Sequence, residues 1–214
     1  MIQAGLLGLG GSSNKEPRMT ATLDAYARVP MILRLNIAGL PVDWVTWQEA
    51  VCLYAREIVQ WTLGDPVLQI RGGHSRFDGS ASTVEIHSII ACEGRVVPRA
   101  KEVPPLTNGA LFVRDGNVCL YCGHEFPDGS LTRDHVVPTS RGGQDEWENV
   151  VAACRRCNHL KGNRLVEECG LDLLALPYTP NFSEYLALTN SGRILGDQMD
   201  FLKRGFGANS RLRH

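Results

Sequence analysis

Two Cys-x-x-Cys pairs, Cys119/Cys122 in "CLYCG" and Cys154/Cys157 in "CRRCN", constrain this chain more than any other feature. Each is a short knuckle that turns two thiolates toward one ion, and four thiolates complete the tetrahedral shell of a structural zinc. One such pair is weak evidence, but two in one chain are strong. A redox role is disfavoured, because the pair is doubled and neither copy opens a thioredoxin-like βαβ unit. The spacing says more. Thirty-one residues separate Cys122 from Cys154, whereas simple zinc ribbons leave roughly 15–20. The zinc knot is a frame with something built into it.

The other cysteines fit the same chemistry. There are seven in all, an odd number scattered without the pattern of a disulfide scaffold. That places the chain in a reducing, cytoplasmic compartment where thiolates hold metal. Cys52, Cys92 and Cys169 are expected to be small buried apolar residues. His124, beside the first knuckle, is expected to be a bystander once four thiolates are present.

Inside the frame lies "LTRDHVVPTSRGG", residues 131–143. A structural zinc knot needs neither Asp134 nor His135. The pattern predicts a strand over Leu131–Val137, a turn at Pro138 and Gly142-Gly143, and a returning strand through "WENVVAAC". A helix is predicted from about Cys157 to Glu167. This arrangement brings Asp134, His135, Asn149 and Asn158 toward one place: two from a strand end, one from a loop and one from a helix start. Trp147 is expected to pack rather than stack on a base.

Taken in order, the knuckles, Asp-His, Gly-Gly, "WENVVAAC" and "CNHLKG" resemble the HNH endonuclease family in its four-cysteine, zinc-bearing, bacterial or phage branch. The resemblance covers about residues 107–169. It implies a ββα-metal, treble-clef-like fold and metal-dependent hydrolysis of DNA, with RNA left open as a substrate. Carried over, His135 resembles the general base, for which a neutral imidazole is suited. Asp134 resembles a ligand of a catalytic Mg²⁺ or Mn²⁺, ions that prefer oxygen donors. Asn149 resembles the middle Asn that holds the His135 loop. The family's third position is often His. Here it is Asn158, a hard oxygen donor, with His159 one residue later as the alternative ligand. Lys161, Arg164, Arg155 and Arg156 are candidate phosphate contacts, and solvated surface charge is nearly as good a reading of them. The implied products carry a 5′-phosphate and a 3′-hydroxyl. Restriction, phage defence and mobile-element or phage DNA processing are the settings the family implies.

The rest of the chain reads as α+β. "PMILRLNI" predicts a strand. The next segment predicts a helix, capped by Thr46 with Glu49, whose face carries Trp47, Val51, Tyr54, Ile58 and Trp61. "PVLQI" and "STVEIHSII" predict two further strands around a turn-rich "RGGHSRFDGSA". His74 and His87 fall there and are expected to be structural. Residues 25–103 thus form a small N-terminal α+β unit, and its likeness to the N-terminal region of some bacterial HNH proteins is weaker. Residues 1–22 read as a disordered leader, and translation from Met19 is an open alternative. Thr107 or Asn108 caps a short helix ending near Gly116. Residues 170–214 read as a helical, mildly basic C-terminal tail. No apolar run is long enough to span a membrane.

Charge limits how such a protein meets its substrate. The chain carries 22 basic and 23 acidic residues, formal net charge −1. Residues 112–164 carry seven of each. Tight non-specific DNA binding by bulk charge is therefore excluded. Affinity must come from the ion, from local arrangement, from the tail or from a protein partner, which includes a homodimer. The competing class is a zinc module that only binds nucleic acid, or a nuclease subunit targeted by a partner. Asp134-His135 and Asn149 argue against the first, because a binding module has no use for a base beside a hard-metal ligand.

Overall fold

The computed structural model of the chain describes residues 3–5, 29–74, 79, 81–94, 103–127, 129–208 and 210–213. It is a mixed α+β protein with two compact units. One comprises Met1–Arg99 with Gly192–Phe201, the other Ala100–Ser191 with Leu202–His214. The segment 170–214 is thus shared between the two.

The first unit is a five-stranded sheet, ordered β1-β4-β5-β2-β3. Its strands are β1 (Gln3–Gly5), β2 (Ile32–Asn36), β3 (Pro41–Val45), β4 (Val59–His74) and β5 (Ala81–Cys92). Apart from Gln3–Gly5, which pairs with β4, the leader lies outside the described residues. β2 runs parallel to β5, and the other pairings are antiparallel. Ile32, Leu68, Ile86 and Ile90 are wholly buried and form its core with Val45, Ala50 and Ile70. From the C-terminal segment, the buried amide of Gln198 donates to the carbonyls of Met31 and Ser88, both at 2.8 Å.

Two expectations here need correction. The helix α1 spans only Trp47–Ala55. Its capping box is complete, with Thr46 and Glu49 each satisfying the other's backbone N–H. It stops because Glu57 adopts a left-handed φ of 59°, and the β-branched run that follows pairs as β4. Ile58 and Trp61 therefore do not belong to the helix face. Cys52 is exposed, not buried, whereas Cys92 is buried and Cys169 lies between. His74 ends β4. His87 hydrogen-bonds through Nδ1 to the Gly64 carbonyl at 2.9 Å, a structural contact.

The second unit is built on a hairpin of β6 (Leu131–His135) and β7 (Val150–Cys154), flanked by α2 (Asn108–Arg114), α3 (Arg155–Lys161), α4 (Val166–Cys169) and α5 (Phe182–Thr189). Every residue of β7 is buried. Thr107 caps α2 through its side chain. Trp147 is buried, with its indole N–H donating to the Pro104 carbonyl at 2.7 Å. The predicted 157–167 helix is two helices. Gly162 interrupts it with a φ of 54° and ψ of −128°, a backbone that glycine accommodates readily. Another helix, α6 (Gly196–Lys203), carries Gln198.

Arg114 and Asp115, sequence neighbours with fully buried side chains, tie this unit together. The Arg114 guanidinium donates to both Asp115 oxygens and to the carbonyls of Trp147, Val150 and Tyr178. It also lies over the rings of Trp147 and Tyr178, 5.4 and 5.6 Å from their centroids. Asp115 additionally accepts from the Ala152 N–H and from Arg211. Removing one partner of such a pair strands the other charge away from water, which costs about 3–5 kcal/mol. Asp115→Asn is therefore expected to lower stability by that order, read as a lower urea midpoint. An unchanged midpoint would contradict the arrangement.

Candidate functional site

The two knuckles meet. The Sγ atoms of Cys119, Cys122, Cys154 and Cys157 all lie within 4.8 Å of one another. Thiolates about 2.3 Å from a tetrahedral zinc stand roughly 3.8 Å apart, so the cluster fits that ion. The first knuckle is closed by hydrogen bonds from Cys119 N–H to the His124 carbonyl and from Gly123 N–H to the Cys119 carbonyl, both 2.9 Å. Leu120 N–H bonds to the Ala152 carbonyl, which fixes the knuckle on β7. The second knuckle is the join between β7 and α3. Cys154 is also the N-cap of α3, its sulfur accepting from Cys157 N–H at 3.4 Å. Burial opposes ionisation of Cys119, but backbone N–H groups of Cys154, Cys122 and Tyr121 outweigh it and bring the thiol down to about 7. Burial pushes Cys157 upward. Four thiolates leave zinc no open position, so an ion here is structural.

β6 carries the Asp-His pair to the far end of the hairpin. Asp134 pairs with Val151 and His135 with Val150. β6 stops at His135, two residues earlier than predicted, although Val136 N–H still bonds to the Asn149 carbonyl at 2.8 Å. The chain then turns through Pro138, a short 3-10 segment Thr139–Arg141 and Gly142 at φ 90°. Gly143 follows, where a β-carbon would collide with the Val137 carbonyl oxygen. Asn149 closes this turn from within. Its Oδ1 accepts from Val137 N–H at 2.9 Å, and its Nδ2 donates to the carbonyls of Val137 and Gln144 at 3.0 and 2.8 Å.

Asp134 is buried and already partnered. Tyr121 donates its hydroxyl to Oδ2 at 2.5 Å, and the Lys161 ammonium lies 3.3 Å from Oδ1 and 3.2 Å from Oδ2. Burial, and then the bond to Asp134, raises the Tyr121 hydroxyl far above its ordinary range, so it remains a donor. Lys161 also donates to the His135 carbonyl at 2.6 Å. Its side chain is 1% exposed. A phosphate grip by Lys161 is therefore corrected: its charge faces inward and joins the end of α3 to the Asp-His dipeptide. Arg164 is exposed but turns back, donating to the Leu160 carbonyl at 2.5 Å and capping α3. Arg155 and Arg156 are exposed. They line a cavity of about 840 Å³ with Cys122, His124, Phe126 and Leu160, which includes neither Asp134 nor His135.

Asn158 docks on the same strand. Its Nδ2 donates to Thr132 Oγ1 at 2.9 Å and to the Arg133 carbonyl at 3.3 Å. These bonds hold Asn158 against β6, the strand that bears Asp134. His159 is exposed. A carboxylate has about four lone-pair sites, and Tyr121 and Lys161 do not fill them all. Two hard oxygen donors fit magnesium or manganese in kind, and Lys161 reduces the negative charge such an ion would meet. His135 is half-buried, and its Nε2 lies 2.9 Å from Asp145 Oδ1. Tyr121, Arg133 and Asp145 were not singled out by sequence. Each acts on a residue across the hairpin or turn, and only a hydrogen bond seen in space reveals it.

Residues 119–174 match a family model described as HNH endonuclease. Over 46 residues, 21% of this chain, the sequence is 44% identical to the CRISPR-associated endonuclease Cas9 of Corynebacterium diphtheriae, of which the match covers 4%. Over 61 residues, 26% of this chain, it is 36% identical to the CRISPR-associated endonuclease Cas9 of Actinomyces naeslundii, of which the match covers 6%. The chain therefore matches only a small fraction of the length of these curated relatives.

Two outcomes follow from this geometry. Purified protein should hold about one zinc per chain, and Cys154→Ala should lose both the metal and the folded second unit. A zinc-loaded, folded variant would contradict the four-thiolate frame. Lys161→Met should lower stability by about 3–5 kcal/mol, because it leaves a buried carboxylate without its cation. Unfolding at the wild-type midpoint would show that the pair is not formed.

Proposed function

We propose that the HNH endonuclease domain at residues 119–174 hydrolyses DNA phosphodiester bonds. The observation that carries this reading is the placement of Asp134 and His135 at one strand end, with Asn149 holding the turn behind them and Asn158 docked on the same strand. A passive zinc module has no need of that arrangement.

His135 is the general base. It takes a proton from the attacking water as the new phosphorus–oxygen bond forms and the 3′-oxygen leaves, giving a 5′-phosphate and a 3′-hydroxyl. Asn149 keeps the backbone beyond His135 in one conformation, and Lys161 fixes the His135 carbonyl. Asp134 and Asn158 are the oxygen donors for a magnesium or manganese ion, which when bound would stabilise charge on the phosphate and the leaving oxygen. DNA as the substrate, and a bacterial or phage role in restriction, defence or mobile-element processing, come from the family resemblance. With basic and acidic groups balanced across the domain, a second copy or a protein partner is the means of targeting.

Supercoiled plasmid incubated with Mg²⁺ or Mn²⁺ should be nicked or linearised, and EDTA should stop it. His135→Ala should reduce the rate by roughly 10²- to 10⁴-fold, the usual worth of a positioned base, while keeping the wild-type fold and zinc content. A fully active variant would remove His135 from the chemistry. No cleavage of any DNA or RNA by the wild type would favour a binding module or a partner-dependent subunit.

A further inference from the structure

Asp145 makes a contact that neither the family motif nor the metal site uses. It lies in the turn, two residues beyond Gly143, and its carboxylate joins two side chains from β6. His135 Nε2 is 2.9 Å from Oδ1. Arg133 Nη1 reaches both oxygens, at 2.9 and 2.8 Å. Arg133 is itself anchored, with Nε donating to Asn108 Oδ1 at 2.9 Å and Nη2 to the Leu106 carbonyl at 3.3 Å. Asp145 is about half exposed, so attraction alone would not fix it. The anchored guanidinium supplies the geometry that a solvent-exposed ion pair otherwise lacks.

We propose that Asp145 is a positioning residue for His135, holding the imidazole in the tautomer whose Nδ1 is the proton acceptor. The inference rests on the reading of His135 as base. An ionised carboxylate can only accept, so the hydrogen on this contact belongs to Nε2. A neutral imidazole carries one such hydrogen, which leaves the Nδ1 lone pair for the water proton. The Arg133 hydrogen bonds, outweighing desolvation and aided by His135, hold Asp145 below the ordinary carboxylate range, so it stays an acceptor. The chain thus builds a carboxylate–imidazole pair from a strand and the turn it leads into. Arg133, one residue before Asp134, acts through Asp145 rather than through phosphate.

The test uses the zinc-loaded 214-residue chain in three forms: wild type, Asp145→Asn and Asp145→Glu. Side-chain nitrogen NMR of His135 at alkaline pH should show the Nε2–H tautomer in the wild type and a mixture in Asp145→Asn. Plasmid nicking by Asp145→Asn should show kcat reduced on the order of 10- to 100-fold, part of what a positioned base contributes. KM and the Mg²⁺ concentration for half-maximal rate should not change. Asp145→Glu should recover much of the loss. Wild-type kcat and tautomer in Asp145→Asn, with His135→Ala inactive, would overturn the positioning role alone. A raised Mg²⁺ requirement in Asp145→Asn would make Asp145 a metal ligand and overturn it too. Full activity in His135→Ala would overturn both this role and the base assignment beneath it.

Discussion

The convergence of four sulfurs within 4.8 Å is the constraint on which the second unit depends. It brings Cys119 and Cys122 against the strand–helix join at Cys154, and it does so from both sides of a 31-residue insertion. β7 ends at that join and α3 begins there. The direction of α3 follows from a strand end and a helix cap that are the same residue. Because α3 is short, its last turn lies close enough for Lys161 to reach Asp134 and the His135 carbonyl. The frame and the Asp-His pair are thus coupled through one helix of seven residues.

Buried charge does the remaining positioning. Asp115 and Asp134 are both buried carboxylates, and each is satisfied by cations and neutral donors together. A carboxylate in such a setting needs several donors at fixed places, so it specifies geometry more than it adds stability. Around Asp115 that specificity registers α2, β7 and Arg211. Around Asp134 it registers Tyr121 of the first knuckle, β6 and α3. The same carboxylate that is read as a metal ligand is therefore also a structural joint.

The domain's charge balance has a functional consequence. Of its basic groups, Arg114, Arg133, Arg141, Lys161 and Arg164 are engaged within the fold. Arg155 and Arg156 are exposed, and they line the cavity beside the zinc frame, which includes neither Asp134 nor His135. A domain so built gains little from counterion release on any polyanion.

Much of the site was legible in local sequence. The knuckle spacing named the frame, the 31-residue gap announced an insertion, and the Thr46/Glu49 and Thr107 caps marked helix starts, because each depends on residues a few positions apart. Asp134-His135, Gly142-Gly143 and Asn149 could be read as one hairpin because strand patterning and a Gly-Gly turn are local signals. Where the helix after Thr46 ends was not legible, since an apolar stripe continues in period while the backbone turns at Glu57 and pairs as a strand. Nor was the inward turn of Lys161, the hydroxyl of Tyr121 on Asp134, or the grip of Arg133 and Asp145 on His135. The sequence by itself determined the four-cysteine frame and the turn that follows Asp134-His135, because metal ligation and turn geometry are set by residue type and short spacing. Only the tertiary structure decided which charges face inward and which carboxylate meets the His135 imidazole, because those pairings join residues ten to twenty-seven positions apart that meet only once the hairpin and α3 have packed.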